Sequence, residues 1–405
     1  MKNIYIFNRF SQGSQFGIGT YIQQLLQLKI IGYRMHVIYL HSNMSEVSYI
    51  EKEGVVMIHF PNPVSANFGK KHLPSYYTNV IRILREYIDF NAENIYHLHY
   101  FDMIGIVMSI KKYMKGKTVL TIHYSNALFK LKGNVNKLRE IIAIPKHENE
   151  NPMNRFIREE IAEIRQLVGY IDKVISISNH SYLQNNDLYH LENKNVMIYN
   201  AIQDIFQIRT NKMRTRKVLG IPQLENVIVY AGRLDEMKGV QYLLQALTIV
   251  KNNGYNFHLF IVGKGDFDAT FNYVHKLYTN ITFTGFLNKC EVYKLFSVAD
   301  FGVLPSLYDE FGYVILEMMM YKLPVVAYRT SGPSEIIEDK KTGLLADLSY
   351  DDDSQSVKNL SEKISFLLDH QKERRRMGIA GRERFLNVFS LDLFLKKMES
   401  FYSSL

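Results

Sequence analysis

Residues 305–320 read PSLYDEFGYVILEMMM, and the reading of this stretch decides the fold. The apolar run at 300–304 ends at Pro305, a turn of small and acidic residues follows, and a second apolar run continues to Tyr321. That order predicts strand, turn and helix. In an open α/β sheet, ligands occupy the crevice beyond the carboxyl ends of the strands, so carboxylates placed there can reach hydroxyl groups. Asp309 and Glu310 fall near the expected helix start, where they either complement the helix dipole or face a ligand. Glu317 interrupts the apolar run, and a carboxylate in such a run needs partners.

The same alternation extends in both directions. Residues 227–231, 258–262, 281–284, 300–304, 324–328 and 343–346 are expected as strands, with helices such as 239–251 between some of them. In the first half, 3–7, 35–40, 55–60, 95–99, 118–123, 173–178 and 196–199 are expected as strands. Most are near-continuous apolar runs, as in parallel strands covered on both faces. Residues 19–31 carry Tyr21, Ile22, Leu25, Leu26 and Leu28 at helical spacing between the first two strands, which implies a crossover and a parallel sheet.

This gives an α/β protein with two Rossmann-like, doubly wound parallel-sheet domains, expected to face a central cleft. The boundaries are 1–203 for the first domain, a basic linker at 204–222 and 223–385 for the second, with a C-terminal helix at 386–405 packing back on the first. Two segments break the rhythm. Residues 62–75 hold two prolines and few apolar residues and read as a surface loop. Residues 126–154 interleave Lys130, Lys132, Lys137 and Arg139 with apolar residues, a pattern that suits either a basic amphipathic flap or a solvated insertion.

The totals bound the partners. The chain has 405 residues, 47% hydrophobic and 22% charged, with a single cysteine, Cys290. One cysteine excludes an internal disulfide framework and suits a reducing cytoplasm. Met1 to Phe7 reads as a strand rather than a signal peptide, and the longest apolar runs are too short to span a bilayer. The net charge is +9, and residues 1–200 hold 23 Lys and Arg against 16 Asp and Glu, a surplus of 7, which leaves 26 against 24 for the remainder. A basic first half suits peripheral contact with the inner face of a membrane, or simply a solvated surface. No nucleic-acid partner and no metal site are expected.

Residues 231–239 read AGRLDEMKG after a strand. Gly232 permits close backbone approach, and Arg233 and Lys238 place two cations at the mouth of the sheet, as a diphosphate requires. Residues 261–266 read IVGKGD, where Gly263 and Gly265 either pass beneath a nucleotide or simply turn the chain. Gly17 and Gly19 lie between the first strand and first helix, where backbone amides can meet phosphate. The spacing there lacks G-x-G-x-x-G, which disfavours a nicotinamide cofactor. His123 ends the strand TVLTIH at the same kind of edge, with His97 and His99 as competing candidates, of which His97 reads as structural.

Together these residues resemble the retaining glycosyltransferases of family 4, which have the GT-B fold. The family's G-R-L-x-x-x-K-G is matched by Gly232, Arg233, Leu234, Lys238 and Gly239, and its G-x-G strand end by Gly263 and Gly265. Its P-S...E-x-F-G-x-x-x-x-E signature is matched by Pro305, Ser306, Phe311, Gly312 and Glu317. In the first half, FGIGTYIQQL, TIHY, DKVISIS and IYNAIQDIF resemble the family's first loop and helix, its T-x-H-D, a strand and the hinge. There are departures: Tyr124 replaces an aspartate, Ala201 a glycine and Pro333 a second glycine. In the opening stretch Asp309 stands for the first glutamate and Glu310 for a glycine.

The resemblance implies transfer of a sugar from a nucleotide diphosphate donor, expected to be a UDP-sugar, to a hydroxyl of a glycan, lipid-linked or peptide acceptor. It implies that Arg233 and Lys238 hold the diphosphate with help from Gly17 and Gly19, without a metal. Glu317 takes the ribose, and Asp309 or Glu310, with His123, positions the sugar. A catalytically silent partner subunit and a sugar-nucleotide epimerase are the rival readings on the same fold.

Overall fold

The computed structural model describes residues 2–9, 17–62, 72–145, 150–206, 212–218, 220–222, 226–274 and 276–405. The chain forms two compact units. Unit 1 comprises Met1–Ala127, Arg139–Ala201 and Leu391–Leu405; unit 2 comprises Leu128–Leu138 and Ile202–Ser390.

Unit 1 is built on eight strands: β1 (Lys2–Arg9), β2 (Arg34–Ser42), β3 (Ser48–Lys52), β4 (Val55–Pro61), β5 (Glu93–Leu98), β6 (Lys117–Ile122), β7 (Lys173–Ser176) and β8 (Asn195–Met197). Their order is β3-β4-β2-β1-β5-β6-β7-β8. All seven strands expected in this half are present and pair in parallel. Strand β3, which had not been expected, pairs antiparallel with β4 at the edge. Its residues are mostly exposed, so it carries no apolar alternation. The turn that makes it is Glu53-Gly54, with φ of 53° and 73°, the all-positive geometry that tight hairpins favour.

Apolar side chains from β1, β2, β5, β6 and β7 and the helix Ile18–Leu25 form a continuous core. The C-terminal helix Leu391–Ser403 closes it by inserting Phe394, Met398, Phe401 and Tyr402. The Tyr402 hydroxyl meets His97 Nδ1 at 2.5 Å, and His97 Nε2 lies 2.7 Å from Thr121 Oγ1, so both ring nitrogens of His97 are engaged inside the core.

Unit 2 carries six parallel strands: β9 (Asn226–Ala231), β10 (Phe257–Val262), β11 (Ile281–Gly285), β12 (Phe301–Leu304), β13 (Val325–Tyr328) and β14 (Gly343–Ala346), in the order β11-β10-β9-β12-β13-β14. From β9 the chain steps outward to β10 and β11, then returns to the other side of β9 for β12. The crevice between β9 and β12 is therefore where the strand order reverses. In unit 1 the equivalent reversal lies between β1 and β5.

The irregular segments are more ordered than their sequence suggests. Within 204–222, the helix Lys212–Val218 is held to unit 2: Arg216, 4% exposed, donates to the Val298 carbonyl and to Asp300 Oδ2 at 2.7 Å. In the stretch 62–75 the helix Leu73–Leu84 begins with Pro74 in its first turn, where a missing N–H costs nothing; the expected loop at 63–71 lies outside the described residues. Residues 126–154 contain the helices Asn126–Lys130 and Val135–Ala143 and the start of Pro152–Gly169. Leu128–Leu138 packs with unit 2 although it interrupts the sequence of unit 1. Among the described residues, no helix is long and apolar enough to cross a membrane.

Candidate functional site

The carboxyl edge of unit 2 is assembled from loops that follow β9, β10 and β12. After β9, the Gly232 amide donates to the Val262 carbonyl and the Leu234 amide to the Lys264 carbonyl, at 2.9 and 2.8 Å. This extends the β9–β10 pairing beyond both strands. It also explains the glycines: a Cβ on Gly263 would lie 1.7 Å from the Gly232 oxygen, and one on Gly265 2.1 Å from the Leu234 oxygen. Of the two sequence readings, backbone-to-backbone contact accounts for both without a ligand.

The loop then makes a short turn, Glu236–Lys238, capped by Asp235, whose carboxylate accepts from the Lys238 amide at 3.0 Å. Arg233 Nε lies 2.8 Å from Asp235 Oδ2, and its side chain is 63% exposed. Lys238 points inward. Its Nζ lies 2.6 Å from Asp309 Oδ2, with the two side chains 21% and 18% exposed. The cation after β9 and the carboxylate after β12 thus meet across the point where the strand order reverses.

The two neighbouring acids have different surroundings. Asp309 lies in a loop braced by its own carbonyl, which accepts from the Gly332 amide at 2.9 Å. Glu310 is turned away from solvent, 6% exposed, and accepts from the Tyr308 hydroxyl. Burial, helped by the nearby Asp309 and Glu335 charges and opposed by the Tyr308 hydrogen bond, pushes its carboxyl up to about 7. Neither acid occupies the first helical turn, so the helix-dipole reading fails: the helix is Tyr313–Met320, and Gly312 precedes it with φ of 95°. That left-handed backbone requires glycine. Phe311 is 3% exposed and packs edge-on against Tyr313 and Phe389.

Glu317 is held on the helix at 15% side-chain exposure. Its Oε1 accepts from the Tyr293 hydroxyl at 3.2 Å and lies 3.9 Å from Lys289 Nζ. Burial raises its pKa against the opposing pull of Lys289 and Tyr293. The partners that its position in an apolar run demanded therefore come from the helix Lys289–Val298.

Residues 128–138 supply a neighbour the sequence did not signal. Lys132 Nζ lies 2.6 Å from Glu236 Oε1, and Gly133, at φ 84°, fits against the Leu307 carbonyl. The Lys-Gly-Asn run at 132–134 marks a turn, but nothing in it designates the loop after β12 as its contact.

In unit 1, Gly17 is exposed and caps the helix Ile18–Leu25 with φ of 43°, while Gly19 is buried one step inside it. The preceding loop, 10–16, lies outside the described residues. His123 follows β6. Its Nε2 meets His99 Nδ1 at 2.9 Å, and Tyr21 stands edge-on to its ring, with centroids 4.8 Å apart. Burial pushes the His123 imidazole down to about 3, which makes it a neutral group. Tyr124, in the place of the family's aspartate, packs edge-on against Phe101. Among the described residues, no group of three or more His, Cys, Asp or Glu side chains is placed to hold a metal ion.

Residues 211–384 match the model of the family Glycosyl transferases group 1. Over that stretch the chain carries that family's domain. A relative, an uncharacterized glycosyltransferase of Methanocaldococcus jannaschii, is 34% identical over 160 residues, covering 38% of this chain and 41% of the relative. The chain thus aligns with about two fifths of that relative's length. Among solved structures, sucrose-phosphate synthase of Thermosynechococcus elongatus has a TM-score of 0.79 at 18% identity, covering 100% of this chain and 99% of that one. Anabaena HepE in complex with UDP-glucose has a TM-score of 0.71 at 15% identity, covering both chains fully (100% each). The two sheets and these neighbours establish the GT-B fold that the group 1 resemblance implied.

Proposed function

We propose that this protein is a retaining glycosyltransferase that moves a sugar from a nucleotide diphosphate donor, a UDP-sugar, to a hydroxyl of a glycan, lipid-linked or peptide acceptor. The observation that carries the reading is the 2.6 Å contact between Lys238 and Asp309 at the strand reversal of unit 2. It puts a cation suited to a diphosphate beside a carboxylate suited to a sugar hydroxyl. Glu317, on the following helix, is the group for the ribose. HepE, a neighbour in fold, was solved with UDP-glucose, which supports a donor of that chemistry.

In the proposed reaction the bond between the anomeric carbon and the diphosphate oxygen breaks as the acceptor oxygen bonds to that carbon on the same face. The acceptor proton passes to the departing phosphate oxygen. Arg233 and Lys238 stabilise the charge that develops on the diphosphate, with no metal required; Gly17 contributes an amide, and His123 meets the transferred sugar. Of the two adjacent acids, Asp309 is the one proposed to face the sugar. Glu310 is spent on Tyr308 and on packing.

The test is UDP release from UDP-sugars with and without candidate acceptors. Arg233→Ala and Lys238→Ala are expected to lower release by about 10²–10³ each, the usual cost of removing a transition-state charge partner. Release that survives both substitutions refutes the assignment. Tight UDP-sugar binding with no turnover would favour the silent subunit, and epimerised donor without UDP would favour the epimerase.

A further inference from the structure

Unit 1 contains a run of three imidazoles of which the proposed function uses one. His97 stacks on His99 with centroids 4.5 Å apart, and His99 lies 5.1 Å from the His123 ring. Tyr21 is edge-on to all three, at 6.4, 5.6 and 4.8 Å. His97 is occupied at both nitrogens by Tyr402 and Thr121. His99 is different. It is 1% exposed, its Nδ1 meets His123 Nε2 at 2.9 Å, and its buried Nε2 has no hydrogen-bond partner.

Burial holds all three rings neutral, so each carries one proton and the 2.9 Å contact holds one proton between two nitrogens. Two arrangements satisfy it. If His123 donated from Nε2, the proton of His99 would sit on Nε2, a buried N–H with no acceptor. If His99 donates from Nδ1, its Nε2 is a bare lone pair, and His123 carries its own proton on Nδ1. Buried N–H groups without an acceptor are the rarer kind of orphan and cost the full desolvation of the donor. The second arrangement is therefore favoured. It leaves His123 Nδ1, which has no protein partner among the described residues, as an N–H available to a ligand.

From this geometry we infer that His99 is a positioning residue: its Nδ1–H fixes His123 in the Nδ1–H tautomer, so that His123 meets the substrate as a neutral hydrogen-bond donor and not as a base. This rests on the proposed role of His123 at the transferred sugar. It also assigns that role a direction, since a donor at Nδ1 would contact a sugar oxygen through the oxygen's lone pair. His99 acts only through His123 and touches no substrate itself.

The test uses the full chain with ¹⁵N-labelled histidine, and the variants His99→Leu, His99→Asn and His123→Ala. Asparagine is the conservative variant, since its Nδ2 can stand where His99 Nδ1 donates. NMR of the wild type is expected to show His123 with a protonated Nδ1 and an unprotonated Nε2. H99L should lose that single-tautomer signature and H99N should regain it. A wild-type His123 protonated on Nε2, or a tautomer unchanged in H99L, overturns the proposal.

With UDP-glucose as the probe, H99L should release UDP about tenfold more slowly at unchanged KM, and H99N should recover most of the rate. If H123A releases UDP at the wild-type rate, the role of His123 at the sugar fails, and with it the catalytic consequence; the tautomer measurement still decides separately whether His99 orients His123. Thermal melts separate both from misfolding: equal loss of Tm and rate in H99L and H99N would mark His99 as merely structural and overturn the proposal.

Discussion

Replacing Asp309 by asparagine should move binding and turnover in opposite directions. Asp309 Oδ2 lies 2.6 Å from Lys238 Nζ, and both side chains are about one-fifth exposed. If Lys238 is the diphosphate cation, Asp309 competes with the phosphate for it whenever no sugar is present. A hydrogen bond between charged groups contributes about 1.5–3 kcal/mol, and solvent access at this pair favours the lower figure, about 1.5 kcal/mol. Asp309→Asn removes the charge but keeps the size, so UDP should bind about tenfold more tightly. Release of UDP from a UDP-sugar should fall by at least tenfold, because the contact to the sugar hydroxyl is weakened. Calorimetric titration of UDP into D309N, K238A and the double variant measures the coupling directly. The gain should vanish when Lys238 is already alanine. Unchanged or weaker UDP binding in D309N, or a gain that persists without Lys238, would refute the competition.

Three further outcomes follow from the same geometry. Gly263→Ala should destabilise unit 2 by about 3 kcal/mol or more, since its Cβ would overlap the Gly232 oxygen, whereas Gly254→Ala, at φ 89° with open space around it, should cost only about 1 kcal/mol; comparable falls in Tm for the two would count against the steric account. Glu310 titrates in the folded protein at about 7, above its unfolded value, so the stability it confers is fully present below about pH 4.5 and is lost as pH rises through 7. Glu310→Gln should therefore gain stability relative to the native protein across that window, by up to about 3 kcal/mol, and parallel denaturation curves at all pH values would reject the assignment. Glu317→Gln should weaken UDP binding but leave binding of a free sugar phosphate unaffected, because the ribose is the group it is proposed to hold; equal losses for both probes would contradict it.

Much of this fold is written locally. Thirteen of the strands are short apolar runs bounded by turn residues, and in a parallel sheet covered on both faces that pattern has few competing meanings. Strand β3 escaped because an edge strand needs no buried face; its one clear mark, Glu53-Gly54, is a turn signal and not a strand signal. The site divides the same way. Lys238 and Asp309 were legible from their places after strands, β9 and β12, that lie on either side of the reversal. The contrast between Asp309 and Glu310 was not, because adjacent residues in a loop point in directions that spacing does not reveal: toward Lys238 for one, toward the Tyr308 hydroxyl for the other. Nor could spacing tell that Gly263 and Gly265 answer to the backbone of the β9 loop. His99 lay outside the resemblance altogether, since its significance depends on a neighbouring strand bringing His123 within 2.9 Å.

The membership of residues 128–138 in unit 2 affects how this protein can be recombined with its relatives. A chimera cut once, near residue 203, would give the second half a foreign copy of the turn that seats Gly133 against Leu307 and pairs Lys132 with Glu236. It would also leave the first half closed by whatever helix the donor of the second half supplied in place of Leu391–Ser403. A faithful exchange of unit 2 has to carry two separate stretches of the chain and return the tail to its original owner. Specificity grafted by a single crossover would thus be read against mismatched packing, and any loss of activity in such a hybrid would report first on those seams.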